Sequence, residues 1–284
     1  MPSTTVSTAT ETIYAKMLTD MMIDAIYSVA VMDQLVRQES LVGKPSNSLS
    51  FPIWPTVAAA SIAETTDLPS VAVDTTAVDI ACTEASSIRI DVTDLLSEAS
   101  IIRDGSRFAD TGARAVADKR DTDLAALLGG FTNIVGATTV NLSEANLLAA
   151  FTRLSALDAP RPYVIVLHPD QVGDLRSALS TTTAVVQTNT TPQELGGTGA
   201  GLEFAYYGMP VYMSTNVPTA NAGADRAGAV FSKGQALARV DKRPIRIRPQ
   251  RDESLRATEF NITSVYGQGE LVDTWGVSVI TDAD

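Results

Sequence analysis

The 284-residue chain is 45% hydrophobic and 19% charged, a globular composition with enough apolar material for one or two cores. Its formal charge of −12 speaks against a protein that grips nucleic acid through broad phosphate neutralisation. A single cysteine, Cys82, excludes an internal disulfide and, with no basic neighbour to activate it, reads as a small buried side chain.

Residues 1–10 are mostly Ser, Thr and Ala without a period and predict an arm that only a partner would order. Over 11–39, Ile13, Met17, Met21, Ile26, Val29, Met32 and Val36 fall towards one side and predict an amphipathic helix. That helix either joins the chain's own core or docks on a neighbouring subunit, because Met-rich faces adapt to partners. Its most apolar run is broken by Asp24, too short and too acidic to span a bilayer, and no secretory signal is visible. Gly43, Lys44 and Pro45 end it. LSFPIWP predicts a short edge strand, kept at an edge by Pro52 and Pro55, with Phe51, Ile53 and Trp54 as packing residues. Residues 57–85 alternate weakly, and SIRIDVTDLL alternates cleanly with Ile88, Ile90 and Val92 on one face. Together they predict a long β-hairpin or extended loop with too few large apolar residues for its own core. Eight acidic residues, among them Glu64, Asp67, Asp74, Asp79 and Glu84, stand between positions 64 and 98 against one basic residue, Arg89.

The longest helical repeat covers 104–131, where Ala109, Ala113, Val116, Ala117, Leu124, Leu127, Leu128 and Phe131 form one stripe. Gly129 and Gly130 are expected to close it with positive φ. Residues 132–141 predict a crossing strand or loop. A second helix starts at a capping Ser143 and aligns Leu147, Leu148, Phe151 and Leu154, with Pro160 and Pro162 beyond its end. YVIVLHPDQVGDLRSALS predicts a buried strand over Tyr163–Leu167, a turn, and a helix with Pro169 near its first position. Residues 181–201 read as a surface loop, and strands follow around Tyr206 and Val211, turned by Gly208 and Pro210. The remainder, from 244 onward, is strand-rich, with Val265, Leu271, Val277 and Val279 expected in a sheet packed on the long helix.

Catalytic patterns are missing. His168 is the only histidine, no Gly-x-Ser-x-Gly elbow accompanies it, and it reads as a turn residue before Pro169. One His and one Cys cannot fill a zinc site. GGTGAG lacks the lysine of a phosphate-binding loop, and Asp118, Asp121 and Asp123 lack the glycine and final glutamate of a calcium loop, leaving a solvated helix face or salt-bridge partners. The expectation is a protein without catalytic residues, cofactor or metal. One charge feature remains: Arg239, Lys242, Arg243, Arg246, Arg248, Arg251 and Arg256 are a third of the 21 basic residues. They are either a site for an acidic partner or edge-strand charges that prevent aggregation. Ile245 and Ile247 alternate with Arg246 and Arg248, placing both arginines on one strand face.

An arm with a helix, a long acidic hairpin, a spine helix ending in DLAALLGGF, an inserted unit with YVIVLHPDQVGDLRSAL and a closing VYGQGELVDTWGVSVIT together resemble the major capsid proteins of tailed bacteriophages, which share the Hong Kong 97-like fold. The resemblance covers nearly the whole chain as architecture. It implies an α+β fold with an N-arm (1–42), an extended β-hairpin E-loop (43–97), a spine helix in a peripheral domain (98–139 and 241–284) and an inserted axial α/β domain (140–240). It further implies a structural coat protein that self-assembles into pentamers and hexamers of an icosahedral shell around double-stranded DNA, located in the virion and assembled in the host cytoplasm. Implied partners are other copies of itself, portal and scaffolding proteins, a decoration protein, and DNA held by weak nonspecific contact, with no membrane. No scaffolding segment precedes the arm, which implies a separate scaffolding protein or a mature form, and Lys44 lies at the base of the loop, so the lysine cross-link of some members is not carried over. On this reading Met17, Met21, Phe51, Trp54, Glu64, Asp67, Asp74, Asp79, Glu84, Arg239, Arg243, Arg246, Arg248 and Arg251 are subunit-interface candidates, the acidic loop meeting the basic cluster across subunits. The alternatives are an encapsulin-like compartment that shares the fold, a Thr- and Ala-rich surface protein, and an enzyme built on carboxylates and arginines.

Overall fold

A computed structural model of the chain describes residues 31–59, 61–62, 64, 67, 70–94, 105–181 and 202–282. Its first described element is a 3-10 helix, Met32–Gln34, followed by strand β1, Arg37–Ser40. Next come β2 (Ser48–Ile53), β3 (Thr76–Ala81) and β4 (Thr83–Thr93), then helix α1 (Gly105–Ala126). β5 (Ile134–Val135), α2 (Glu144–Ala156), β6 (Tyr163–Leu167), α3 (Pro169–Thr181), β7 (Leu202–Tyr206), β8 (Met209–Met213) and β9 (Thr219–Ala220) continue the chain. β10 (Asp225–Ser232), β11 (Leu237–Asp252), β12 (Ala257–Glu270) and β13 (Gly276–Asp282) complete it.

The strands form a seven-stranded sheet in the order β5-β13-β10-β6-β8-β7 with β9 on β10, a four-stranded sheet β1-β11-β12-β4, and the two-stranded hairpin β2-β3. The unbroken apolar run of β6 reflects burial on both faces. Ile165 and Leu167 face Leu147, Leu154 and Leu175 of α2 and α3, while Val164 and Val166 face Met32, Leu35, Leu124, Leu128 and Phe131 on the other side. Leu148, expected in the α2 stripe, is exposed. α1, of 22 residues and roughly 33 Å at about 1.5 Å per residue, bridges the two large sheets. Val116 sits on Ile245, Ile247 and Ile262 of the four-stranded sheet, and Leu124 and Leu128 reach the seven-stranded one. Register explains the first contact, since Ile247, Ile262 and Ile88 are direct neighbours across β11, β12 and β4, as are Pro249, Phe260 and Ile90.

Several expectations change. Helix residues up to 30 lie outside the described part, and Arg37–Ser40 is a strand paired in parallel with residues 238–241 of β11, whose open edge outweighs a helical period. Val31, Met32, Leu35 and Val36 are buried in this chain's own core, not offered to a neighbour. α1 does not end on positive-φ glycines: Gly130 has φ −84, where a Cβ would lie 3.2 Å from the Leu127 carbonyl and run into the Glu270 carboxylate, while one on Gly129 would make only ordinary 3.4 Å contact with Ala227. The tight β7–β8 turn is made by Tyr207 and Gly208, both at positive φ, as a two-residue hairpin requires, while Pro210 lies inside β8 opposite Ala205. Val277 and Val279 belong to β13 in the seven-stranded sheet, because β13 pairs with β10 and β5. The loop over 182–201 lies outside the described residues.

The β2-β3 hairpin stands on a small core of its own, Leu41, Phe51, Ile80 and Cys82 against Ala238, Val240 and Leu271. Gly267 and Gly269 of β12 let it approach: a Cβ on Gly267 would run into the Ala81 carbonyl, and one on Gly269 would lie 3.1 Å from Ile80 Cγ1. On the helical face of the seven-stranded sheet, the fully buried Gln171 of α3 is a polar hub. Its Oε1 accepts the His168 N–H at 3.1 Å, and its amide nitrogen is within 3.3 Å of the Arg226 and Val279 carbonyls and Thr281 Oγ1.

Candidate subunit-interaction surface

Beyond its paired residues the β2-β3 hairpin presents apolar side chains to solvent. Trp54 is 72% exposed, and Val57, Val71 and Val73 are exposed with it. Trp54 therefore is not packed among the described residues, whereas Phe51, on the opposite pleat, is buried against Ile80 and within cation–π distance of Arg37. The acidic residues Glu64, Asp67, Asp74 and Asp79 of the same region are exposed, and Asp79 accepts the Ser50 hydroxyl. Glu84 lies on β4. Met17 and Met21 lie outside the described residues.

The basic cluster is not one surface. Arg239 is buried and bridges Asp33 and Asp241, so it is an internal anchor and not a contact for another subunit. Arg251 makes a bidentate pair with Asp94 at 2.6 Å through each nitrogen, on the helix side of the sheet, and Arg243 is half-buried. Arg246 and Arg248 are exposed on the wet face of the four-stranded sheet, and Arg256 is exposed just before β12. Two register shifts in β11, at Asp241/Arg243 and Arg243/Arg246, change the phase of the strand and separate Arg239 from the later arginines. Arg248, Asn261 and Arg89 share one cross-strand row, and Arg89 is paired with Asp91 at 2.8 Å and Glu259 at 3.4 Å. Part of the opposite-charge pairing expected between subunits is thus satisfied inside the chain.

The Arg251 guanidinium holds the Asp94 carboxyl below the usual carboxylate range, and the Ser254 hydroxyl with the Leu255 amide does the same for Asp252. His168 is pulled the other way for a base: burial and then the nearby Arg226 lower its pKa, against a smaller opposing effect of Asp170. His168 Nδ1 lies 2.7 Å from Asp170 Oδ2. A histidine with a depressed folded pKa binds fewer protons in the native state, so stability falls as pH drops below the unfolded value of about 6.5 and continues to fall until the folded value is passed. Urea midpoints measured at pH 7 and pH 5 are expected to fall, with a smaller drop in His168→Gln. Among the described residues no group of three or more His, Cys, Asp or Glu side chains converges as a metal site.

Two features escaped sequence reasoning. The pairing of Asp33 with Arg239 spans 206 residues and carries no local signal. Gly267-Gln268-Gly269 inside a strand did carry one, since glycines on alternate positions mark a close backbone approach on one face.

The geometry has counterparts. The capsid of cyanophage P-SCSP1u superposes with a TM-score of 0.69 at 14% identity, covering 90% of this chain and 89% of that one. The structure of Mycobacterium phage Che8 gives 0.67 at 19% identity over 88% and 90%. The SrpI encapsulin of Synechococcus elongatus PCC 7942 gives 0.61 at 10% identity over 88% and 87%. At these identities the likeness shows a shared mixed α/β fold. No curated protein sequence matches the chain. The family model described as phage capsid protein matches residues 94–277, from the end of β4 through α1 and both large sheets to the start of β13. An architecture shared with phage capsids and a family match running through both large sheets agree, and the chain belongs to the phage capsid protein family.

Proposed function

We propose that the chain is the major capsid protein of a tailed bacteriophage, assembling through pentamers and hexamers into an icosahedral shell that encloses double-stranded DNA. The observation that carries this reading, beyond family membership, is the β2-β3 hairpin: it is rooted on its own small core yet leaves Trp54, Val57, Val71 and Val73 in water. Exposed apolar patches of this kind mark sites of protein–protein contact. In this reading residues 1–42 are the N-arm and 43–97 the E-loop. Residues 98–139 and 241–284 make the peripheral domain around α1 as spine helix, and 140–240 make the axial domain, to whose sheet β13 returns. Portal, scaffolding and decoration proteins would be further partners.

The exposed acids Glu64, Asp67, Asp74 and Asp79 meet Arg246 and Arg248 of an adjacent copy, setting register more than affinity. Electron microscopy and light scattering of the chain expressed alone are expected to show capsomers or closed shells. The double reversal Arg246→Glu with Arg248→Glu is expected to prevent them, and Asp67→Lys with Asp74→Lys to restore them in that background. Normal shells from the double reversal alone would refute the pairing. The second reading, an encapsulin-like compartment, is favoured by the superposition on SrpI encapsulin. Nucleic acid inside the particles supports the viral shell, and protein cargo supports the compartment.

A further inference from the structure

Where the N-terminal segment enters the body, four charged side chains from three parts of the chain meet, three of them buried and the fourth, Asp241, half-buried. Asp33 lies in the 3-10 turn Met32–Gln34, Arg120 lies on α1, and Arg239 and Asp241 lie on β11. Asp33, Arg120 and Arg239 are 7%, 9% and 4% exposed. Arg239 pairs through Nη1 with Asp33 and through Nη2 with Asp241 at 2.7 Å. Arg120 Nη2 is 3.5 Å from Asp241 and 3.8 Å from Asp33, with its guanidinium 5.5 Å from the Tyr266 ring. Two arginines and two aspartates balance. A second carboxylate locks the same turn: Asp121 accepts the Met32 N–H at 2.8 Å, Ser214 Oγ at 3.1 Å and Asn216 Nδ2 at 3.0 Å.

We propose that this cluster is an ionic latch that holds residues 31–40 on the body and ties their position to the contact between α1 and β11. Val31, Met32, Leu35 and Val36 already seat the first part of this segment in the core, and the strand beyond them is weak by itself. β1 offers four residues of parallel pairing at a sheet edge, with most of its side chains exposed. If Asp33 leaves, Arg120 and Arg239 share one carboxylate, Asp241, and buried like charges drive α1 and β11 apart at that point. Departure of the N-terminal segment is thereby converted into a loosening of the junction between the two sheets. Farther along, the outer edge of β11 carries Pro244 and Pro249 and exposed arginines, which discourage pairing, whereas residues 238–241 under β1 have no such guard.

The test is hydrogen exchange on the full-length chain as expressed, with a double-mutant cycle. Asp33→Asn and Arg239→Met each leave the cluster unbalanced, and each is expected to speed exchange at residues 37–40 and 238–241 by about tenfold or more, with β6, β10 and β13 unchanged. The double variant keeps one Arg120–Asp241 pair and is expected to return to within about threefold of the parent, a non-additivity that lost packing would not produce. Arg239→Lys retains the charge but loses the two-pronged contact, and is expected to fall between the parent and Arg239→Met. Exchange that rises evenly across all strands, that does not rise, or that adds without compensation in the double variant would overturn the latch. Shell formation does not enter the readout, so failure of the capsid assembly reading would leave this result interpretable.

Discussion

Gly267→Val is expected to abolish ordered assembly while leaving the seven-stranded sheet folded. The obstruction at this position is backbone, not a side chain that can swing aside: the new Cβ would collide with the Ala81 carbonyl and lie 3.2 Å from Cys82 Cα. Relief requires β3 to lift from β12, which breaks the packing of Ile80 and Cys82 on Val240 and Leu271 and the Cys82 thiol contact with the Val240 carbonyl at 3.5 Å. Overpacking of this kind costs about 3 kcal/mol. Because this contact is a main root of the hairpin, its direction changes as well, and Trp54 would no longer be presented at the same place. Near-UV circular dichroism and light scattering separate the two effects. A variant that assembles normally would show that the root does not aim the hairpin.

Gln171→Leu is expected to lower stability by about 3 kcal/mol, a loss of roughly 5–10 °C in Tm for a domain of this size. Leucine fills similar space but leaves the His168 amide and the Arg226 and Val279 carbonyls without their partner in a site closed to water. The neighbouring Gly228 is part of the same arrangement, since a Cβ there would lie 2.8 Å from Gln171 Oε1, Leu167 Cδ2 and the Val166 carbonyl. Gln171→Glu, which keeps the shape and an acceptor but places a charge in the same closed site, is expected to be worse than leucine at pH 7. Thermal unfolding followed at 222 nm checks both, and equal stability of parent and Gln171→Leu would remove the hub from the account.

Elements whose identity rests on local pattern were legible in the sequence. YVIVL reads as a doubly covered strand because both of its faces carry branched apolar side chains, and Val116, Leu124, Leu128 and Phe131 read as one helical stripe. Ile245 and Ile247 against Arg246 and Arg248 also resolved correctly into a buried and a wet face. What failed needed partners far along the chain. RQES has no strand signal, and only the open edge of β11 makes it one. Alternation in GVSVIT marks a strand without saying which of two sheets receives it. A run of seven basic residues suggests one surface, yet two register shifts and the acids at 33, 94 and 241 distribute it between interior, helix side and solvent.

The position of β13 has a consequence for synthesis. This strand, the last one described, is not at an edge but between β5 and β10, so the seven-stranded sheet cannot close until residue 282 is available. A nascent chain that has already delivered β6 must wait roughly ten seconds at typical elongation rates, with the bed for β13 open. The long β11–β12 pair is completed only shortly before. A chain interrupted before β13 therefore lacks the strand that joins β5 to β10, and late closure of the seven-stranded sheet is built into the order of the strands.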